Sequence, residues 1–237
     1  MSFRVLTDTP AALGYSFPPE WAPHRGTWLS WPRPEGISFP DRYHLLAPAL
    51  SRIIGEIARR EEVHINVPNG NYARIVGETF AAHGVGSRRV HCHHIPTNEP
   101  WCRDHGPAFV LRRDRRGRTH AAIVDWGYNA WGGKYPPWDA DDAVPTAVAR
   151  VLGLPVFEPG IVMEGGAVEF NGAGTVLTTR SCLLNRNRNP GLTRREIERY
   201  LRDYYGQRHV AWLDGGIAGD DTDGHVDDLA RFVDPRT

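Results

Sequence analysis

The sequence carries no excess of charge. Its 28 Lys and Arg balance 28 Asp and Glu, so the formal net charge at pH 7 is 0. A neutral chain has no global field to hold nucleic acid or an anionic membrane, so any charged ligand must be held by a local cluster. Cysteine is scarce. Cys92, Cys102 and Cys182 are too few and too scattered for a disulfide framework; they read as reduced thiols, which points to the cytoplasm. The first stretch, MSFRVLTDTPAALGY, has no basic region followed by an apolar run, so no signal peptide is expected. No stretch approaches the ~18 apolar residues that span a bilayer. Apolar residues at 41% and charged residues at 24% argue against disorder, collagen and coiled coil. At 237 residues the chain is long enough to bury a core without staples.

What the sequence has in quantity is tryptophan (8), glycine (25) and proline (19), and the last two imply many turns between short elements. GTWLSWP reads as a short strand stopped by Pro32. Residues 41–60 place Leu46, Leu50, Ile53, Ile54 and Ile57 at helical spacing, with Asp41 as N-cap. VHINV, a helix over 71–83 and RRVHCHHI follow, so the first ~95 residues read strand, helix, strand, helix, strand. Residues 106–113 and 119–128 read as a strand pair, 141–153 as a helix and PVFEP as a short strand. Residues 166–180 read as a hairpin about Asn171-Gly172, and 193–206 as a helix with a Thr193/Glu196 capping box. HVAWL and HVDDLARFV (225–233) complete the set as strands. Strand pair, helix and strand recur at ~50–60 residues, a spacing that suggests radial repetition.

Four stretches cluster polar and small residues at turns: NEPWCRDHGP, YNAWGGKYPPW, MEGG and GDDTDGHVDD. In the last, His225 and Asp227 alternate and so face one way on a strand. Such a pair suits proton transfer or a base beside a cation. The same stretch also reads as a solvated acidic loop, and its Asp-x-Asp-Gly as an incomplete calcium loop. Asp104 beside Trp101 suits a flat cationic ligand, or else forms a tight turn with Arg103 as a surface ion pair. Glu164 precedes two glycines that permit close backbone approach. HCHH (91–94) has no second cluster at zinc spacing, and a strand edge is the favoured reading.

EWAPHRGTWLSWP, WCRDHGP, NAWGG, EGG, TVLTTRSCLLNRNRNP and GDDTDGHVD, in this order, resemble the agmatine deiminase and Porphyromonas-type peptidylarginine deiminase family over almost the whole chain. The resemblance implies an α/β pentein propeller of strand-strand-helix-strand blades, here incomplete at about three to four of five, forming one domain over 1–237. It implies hydrolysis of a guanidinium through a covalent thiouronium on a cysteine, with no metal or organic cofactor. His225 matches the family's general acid/base, and Asp104, Glu164 and Asp227 match its acidic residues. Trp101 and Trp131 are expected to line the substrate pocket. The implied nucleophile lies in a Gly-rich His-Cys segment absent from these residues, and none of the three cysteines takes its place. A C-terminally truncated and inactive chain is therefore expected. The expected reaction converts agmatine to N-carbamoylputrescine and ammonia in putrescine synthesis. Peptidyl-arginine or free arginine is the alternative substrate, giving citrulline. A guanidinium-binding pseudo-enzyme and a metal-dependent hydrolase are the rivals from other classes. The expected partner is a small cationic guanidino substrate, with no nucleic acid and no membrane. A homodimer is left open.

Overall fold

The computed structural model describes residues 3–237. Its strands form three three-stranded sheets, and the chain divides into two compact units.

The smaller unit comprises Pro23–Cys102 and Pro137–Val144. Its sheet has the order β1 (Gly26–Ser30), β2 (Glu62–Val67), β3 (Val90–His94), parallel throughout. The helices Tyr43–Ile57 and Gly70–Ala82 make the two crossovers that parallel pairing requires. Val63, Ile65, Val67, Ile54, Val76 and Phe80 bury the shared core with Trp31. Two expectations fail in the first helix. Asp41 is not its N-cap: at φ 58° it is left-handed, whereas a capping residue sits in the extended region, and Arg42 takes the position without a side-chain cap. The buried row is Ala47, Ser51 and Ile54, and Ile53 is exposed. The HCHH tract is β3, an edge strand. His93 Nε2 lies 2.9 Å from His64 Nδ1, and the Trp28 ring stacks on both imidazoles.

The larger unit runs up to Ala22 and then comprises Arg103–Pro136 and Pro145–Thr237. Its two sheets repeat one plan. β4 (Ala108–Arg113) pairs antiparallel with β5 (Thr119–Val124), which pairs parallel with β6 (Val156–Phe157) after the helix Val144–Leu152. β7 (Val168–Phe170) pairs antiparallel with β8 (Thr175–Thr179), which pairs parallel with β9 (His209–Leu213) after the helix Arg194–Tyr205. The recurring strand pair, helix and strand is thus present in these two sheets. The capping box at Thr193 and Glu196 forms as expected. Ile197, Leu201 and Tyr205, four residues apart, bury one stripe of that helix against Phe157, Phe170 and Val176.

The expected strand over 225–233 is absent. Val226–Asp228 is instead a 3₁₀ turn, and the amides of Leu229 and Ala230 both donate to the Val226 carbonyl. Among the described residues no strand pairs with this stretch, and backbone groups without a ladder close on themselves. No helix among the described residues is long and apolar enough to cross a membrane.

Candidate active site

Each polar group of the candidate site sits at a turn, where backbone geometry and not a ladder aims the side chain. Asp104 lies on the short helical turn Cys102–His105. Glu164 precedes the 3₁₀ turn Gly165–Ala167 that enters β7. His225 and Asp227 flank Val226 at the second 3₁₀ turn. The two glycines after Glu164 permit a close approach of chains. A Cβ on Gly165 would lie 2.0 Å from the Arg103 carbonyl oxygen. A Cβ on Gly166 would lie 2.4 Å from His225 Nδ1, 2.8 Å from Asp104 Oδ1 and 3.0 Å from Asp227 Oδ1. One glycine therefore faces three of the groups singled out in the sequence, and the shared facing of His225 and Asp227 arises on a turn.

Asp104 is held by two donors. The Gly166 amide donates to Oδ1 at 2.9 Å, and Trp131 Nε1 donates to Oδ2 at 3.0 Å. Burial nevertheless pushes this carboxyl up to about 6. Trp131 reaches Asp104 from a left-handed turn, with Ala130 at φ 48° and Trp131 at φ 55°. Backbone of this kind persists only where surrounding structure holds it. Asn129 caps the turn by accepting from the Gly132 amide at 2.9 Å.

Glu164 is fully buried. Arg188 Nε donates to its Oε1 at 2.5 Å, while Oε2 is buried and has no partner. Arg188 also donates through Nη1 to Asp223 and to Asn187 Oδ1, and through Nη2 to the Thr222 carbonyl. Burial raises the Glu164 carboxyl against the pull of Arg188. His225 Nδ1 lies 3.6 Å from Asp104 Oδ1, and His225 Nε2 is buried without a partner. Burial lowers the His225 imidazole below its ordinary range, with Glu164 opposing. Burial also raises the carboxyl of Asp227, and Asp104 adds to the effect.

The acidic loop 220–223 is committed to protein donors. Asp220 accepts from Thr222 and from the Gly224 amide, and Asp223 accepts from Lys134, Asn187 and Arg188. Tyr135 donates to Asp221. The partly buried loop is thus a scaffold that aims His225, with Thr222 Oγ1 accepting from the His225 amide at 3.0 Å. Among the described residues the group with ligand spacing for a metal is Glu164, Cys182 and His225, and neither HCHH nor the aspartates belong to it.

The structure thus brings together Asp104, Glu164, His225, Asp227 and Trp131. Trp101 belongs to the smaller unit, where its Nε1 donates to Ser38 Oγ at 2.7 Å and its ring centroid lies 5.5 Å from that of Phe39. Arg103 does form an ion pair, but with Glu20 at 2.6 Å and not with its neighbour Asp104, which is buried; Asp227 lies 3.9 Å away. Sequence reasoning missed Arg188 and its clamp on Glu164. The available signal was a cation inside the Asn-rich turn NRNRNP. Cys182, which the sequence reading set aside as a nucleophile, is buried on the turn Arg180–Leu183 that Thr179 caps.

A sequence profile described as Porphyromonas-type peptidyl-arginine deiminase matches residues 16–237. An agmatine deiminase of Ectopseudomonas mendocina is 39% identical, over 98% of this chain and 61% of its own length. The solved structure of an Enterococcus faecalis agmatine deiminase matches with a TM-score of 0.88 at 32% identity, covering 99% of this chain and 62% of that one. A C. jejuni C315S agmatine deiminase with substrate bound matches at a TM-score of 0.81 and 27% identity, covering 93% and 62%. The chain thus spans less than two thirds of the length of these relatives. The likeness establishes the mixed α/β pentein fold. This chain belongs to the Porphyromonas-type peptidyl-arginine deiminase family.

Proposed function

We propose that the chain supplies the guanidinium-binding and proton-transfer groups of an agmatine deiminase. One observation carries this reading: Glu164 Oε2 and His225 Nε2 are buried without a protein partner, in a site that also holds Asp104 and Asp227. Buried polar atoms normally have partners. A guanidinium presents a planar fork of N–H donors, which suits a carboxylate oxygen left free in this way. The agmatine deiminase names of the relatives point to the same cation.

In the proposed reaction a thiolate attacks the guanidinium carbon and a carbon–sulfur bond forms. A carbon–nitrogen bond breaks, and His225 in its protonated form gives its proton to the leaving ammonia. His225 then takes a proton from water, whose oxygen bonds the same carbon as the sulfur departs. Cys182 is a poor source of the thiolate, because burial, with the charge of Glu164 behind it, holds its thiol well above the ordinary range. This reading leaves the nucleophile to a cysteine outside these residues. It also takes the protein as cytoplasmic, with Trp131 beside the substrate. A homodimer fits the commonest symmetry of soluble oligomers.

Calorimetric titration of the chain tests the reading, with agmatine, putrescine and a blocked peptidyl-arginine as ligands. Saturable binding of agmatine, weakened by Glu164→Gln and exceeding that of putrescine, is expected. Equal binding of putrescine would remove the guanidinium from the argument. Preference for the blocked arginine would move the substrate to peptidyl-arginine, the reading favoured by the family description.

A further inference from the structure

Cys182 has no part in the proposed reaction, yet it is fully buried beside two groups that do. Its Sγ, a carboxylate oxygen of Glu164 and an imidazole nitrogen of His225 all lie within 4.8 Å of one another. A tetrahedral ion with bonds of about 2.0–2.3 Å holds its ligands about 3.3–3.8 Å apart, so shifts of roughly 1 Å close the three on one centre. One thiol, one imidazole and one carboxylate is a borderline-soft donor set, suited to zinc over magnesium or calcium.

We propose that Glu164, Cys182 and His225 form a binding site for a zinc-class divalent cation, and that this cation and a guanidinium exclude each other. The exclusion rests on the guanidinium reading above; the cation site does not. Glu164 and His225 each keep one ligand atom without a protein partner. Glu164 engages Arg188 through Oε1 and keeps Oε2 free, and His225 turns Nδ1 toward Asp104 and keeps Nε2 free. Arg188 remains held by Asp223, Asn187 and the Thr222 carbonyl when Oε2 takes the ion. Binding forms a metal–sulfur bond and releases the thiol proton to solvent. The fourth ligand position is left to water.

Cobalt(II) is the probe, because a thiolate bound to it gives a near-ultraviolet charge-transfer band and tetrahedral ligation gives intense visible bands. Titration of the chain is expected to raise both, saturably. The Cys92→Ser/Cys102→Ser double variant is expected to keep them, while Cys182→Ser and Cys182→Ala lose the charge-transfer band. Glu164→Gln keeps the shape of the side chain and is expected to weaken binding at least about tenfold, since loss of a supporting group alone costs about that much. Glu164→Gln decides the matter if both Cys182 variants fail to fold by circular dichroism. Absence of the band in the folded parent chain overturns the site, as does its survival in Cys182→Ser or unchanged affinity in Glu164→Gln. Agmatine is expected to titrate the bands away. If they persist in excess agmatine while calorimetry shows agmatine bound, the exclusion is overturned. If calorimetry shows no agmatine bound, it is the guanidinium reading that fails.

Discussion

Arg188 engages only one of the two carboxylate oxygens of Glu164. Its Nε lies 2.5 Å from Oε1, and both side chains are fully buried. The pair aims the glutamate while leaving Oε2 for a ligand. Removing one partner of a buried pair costs about 3–5 kcal/mol, because the other charge is stranded. Arg188→Met is therefore expected to destabilise the chain by about that much in urea unfolding. Adding Glu164→Gln to Arg188→Met is expected to recover part of the loss. If the two variants add without recovery, the charges are not coupled as the geometry indicates.

Gly166 tests the close approach of His225, Asp104 and Asp227. A methyl group there would fall 2.4 Å from His225 Nδ1 and 2.8 Å from Asp104 Oδ1, so Gly166→Ala must displace both. Agmatine affinity is expected to fall by more than about tenfold, with far-ultraviolet circular dichroism unchanged. Retained affinity would show that these groups do not hold the ligand.

The pH dependence follows from Asp104. Burial raises its carboxyl to about 6, so it ionises only as pH climbs through that value. A guanidinium binds the ionised form, and agmatine affinity is expected to rise with pH across about 5 to 7. Asp104→Asn is expected to flatten that rise. Stability runs the other way. A carboxyl whose folded-state value is raised contributes most below its ordinary range near 4, and the contribution is lost as pH rises through about 6. Measurements of agmatine binding and of urea midpoints over the same pH series check both slopes.

Trp131 donates its one indole N–H to Asp104 Oδ2. Trp131→Phe leaves that oxygen short of a buried donor, which costs about 1–3 kcal/mol. The Asp104 carboxyl then rises further, and the inflection in agmatine affinity is expected to move to higher pH. An unmoved inflection would show that the indole does not tune this carboxylate.

Thr193 is the control remote from the site. It caps the helix Arg194–Tyr205, with Glu196 closing the reciprocal bond. Thr193→Ala is expected to cost about 0.5–2 kcal/mol of stability and to leave agmatine binding unchanged. A loss of binding in calorimetry would couple this helix to the site in a way that nothing in the geometry provides.

The local grammar of the chain was legible where neighbours in sequence decide the outcome. The helix Arg194–Tyr205, its capping box, the antiparallel pair β7–β8 about Asn171-Gly172 and the alternation from β1 to β3 all follow from short-range periodicity and turn chemistry. So did the four groups Asp104, Glu164, His225 and Asp227, through the motifs that contain them. The same short-range logic misread 225–233. His225-Val226-Asp227 alternates like a strand, yet a strand is decided by what pairs with it, and no strand does so among the described residues. Asp41 failed as a cap for a similar reason, since its left-handed backbone depends on the chain around it.

The sequence by itself determined which residue types stand at which turns, and with them the family and the candidate chemistry. Only the tertiary structure decided how those groups are charged and aimed. Asp104 meets Gly166 across 62 residues, and Arg188 meets Glu164 across 24. Burial raises one carboxyl to about 6, and a single guanidinium leaves one oxygen of another unpartnered. Desolvation and pairing are properties of the three-dimensional neighbourhood, so the motifs name the groups and the packing sets their protonation and reach.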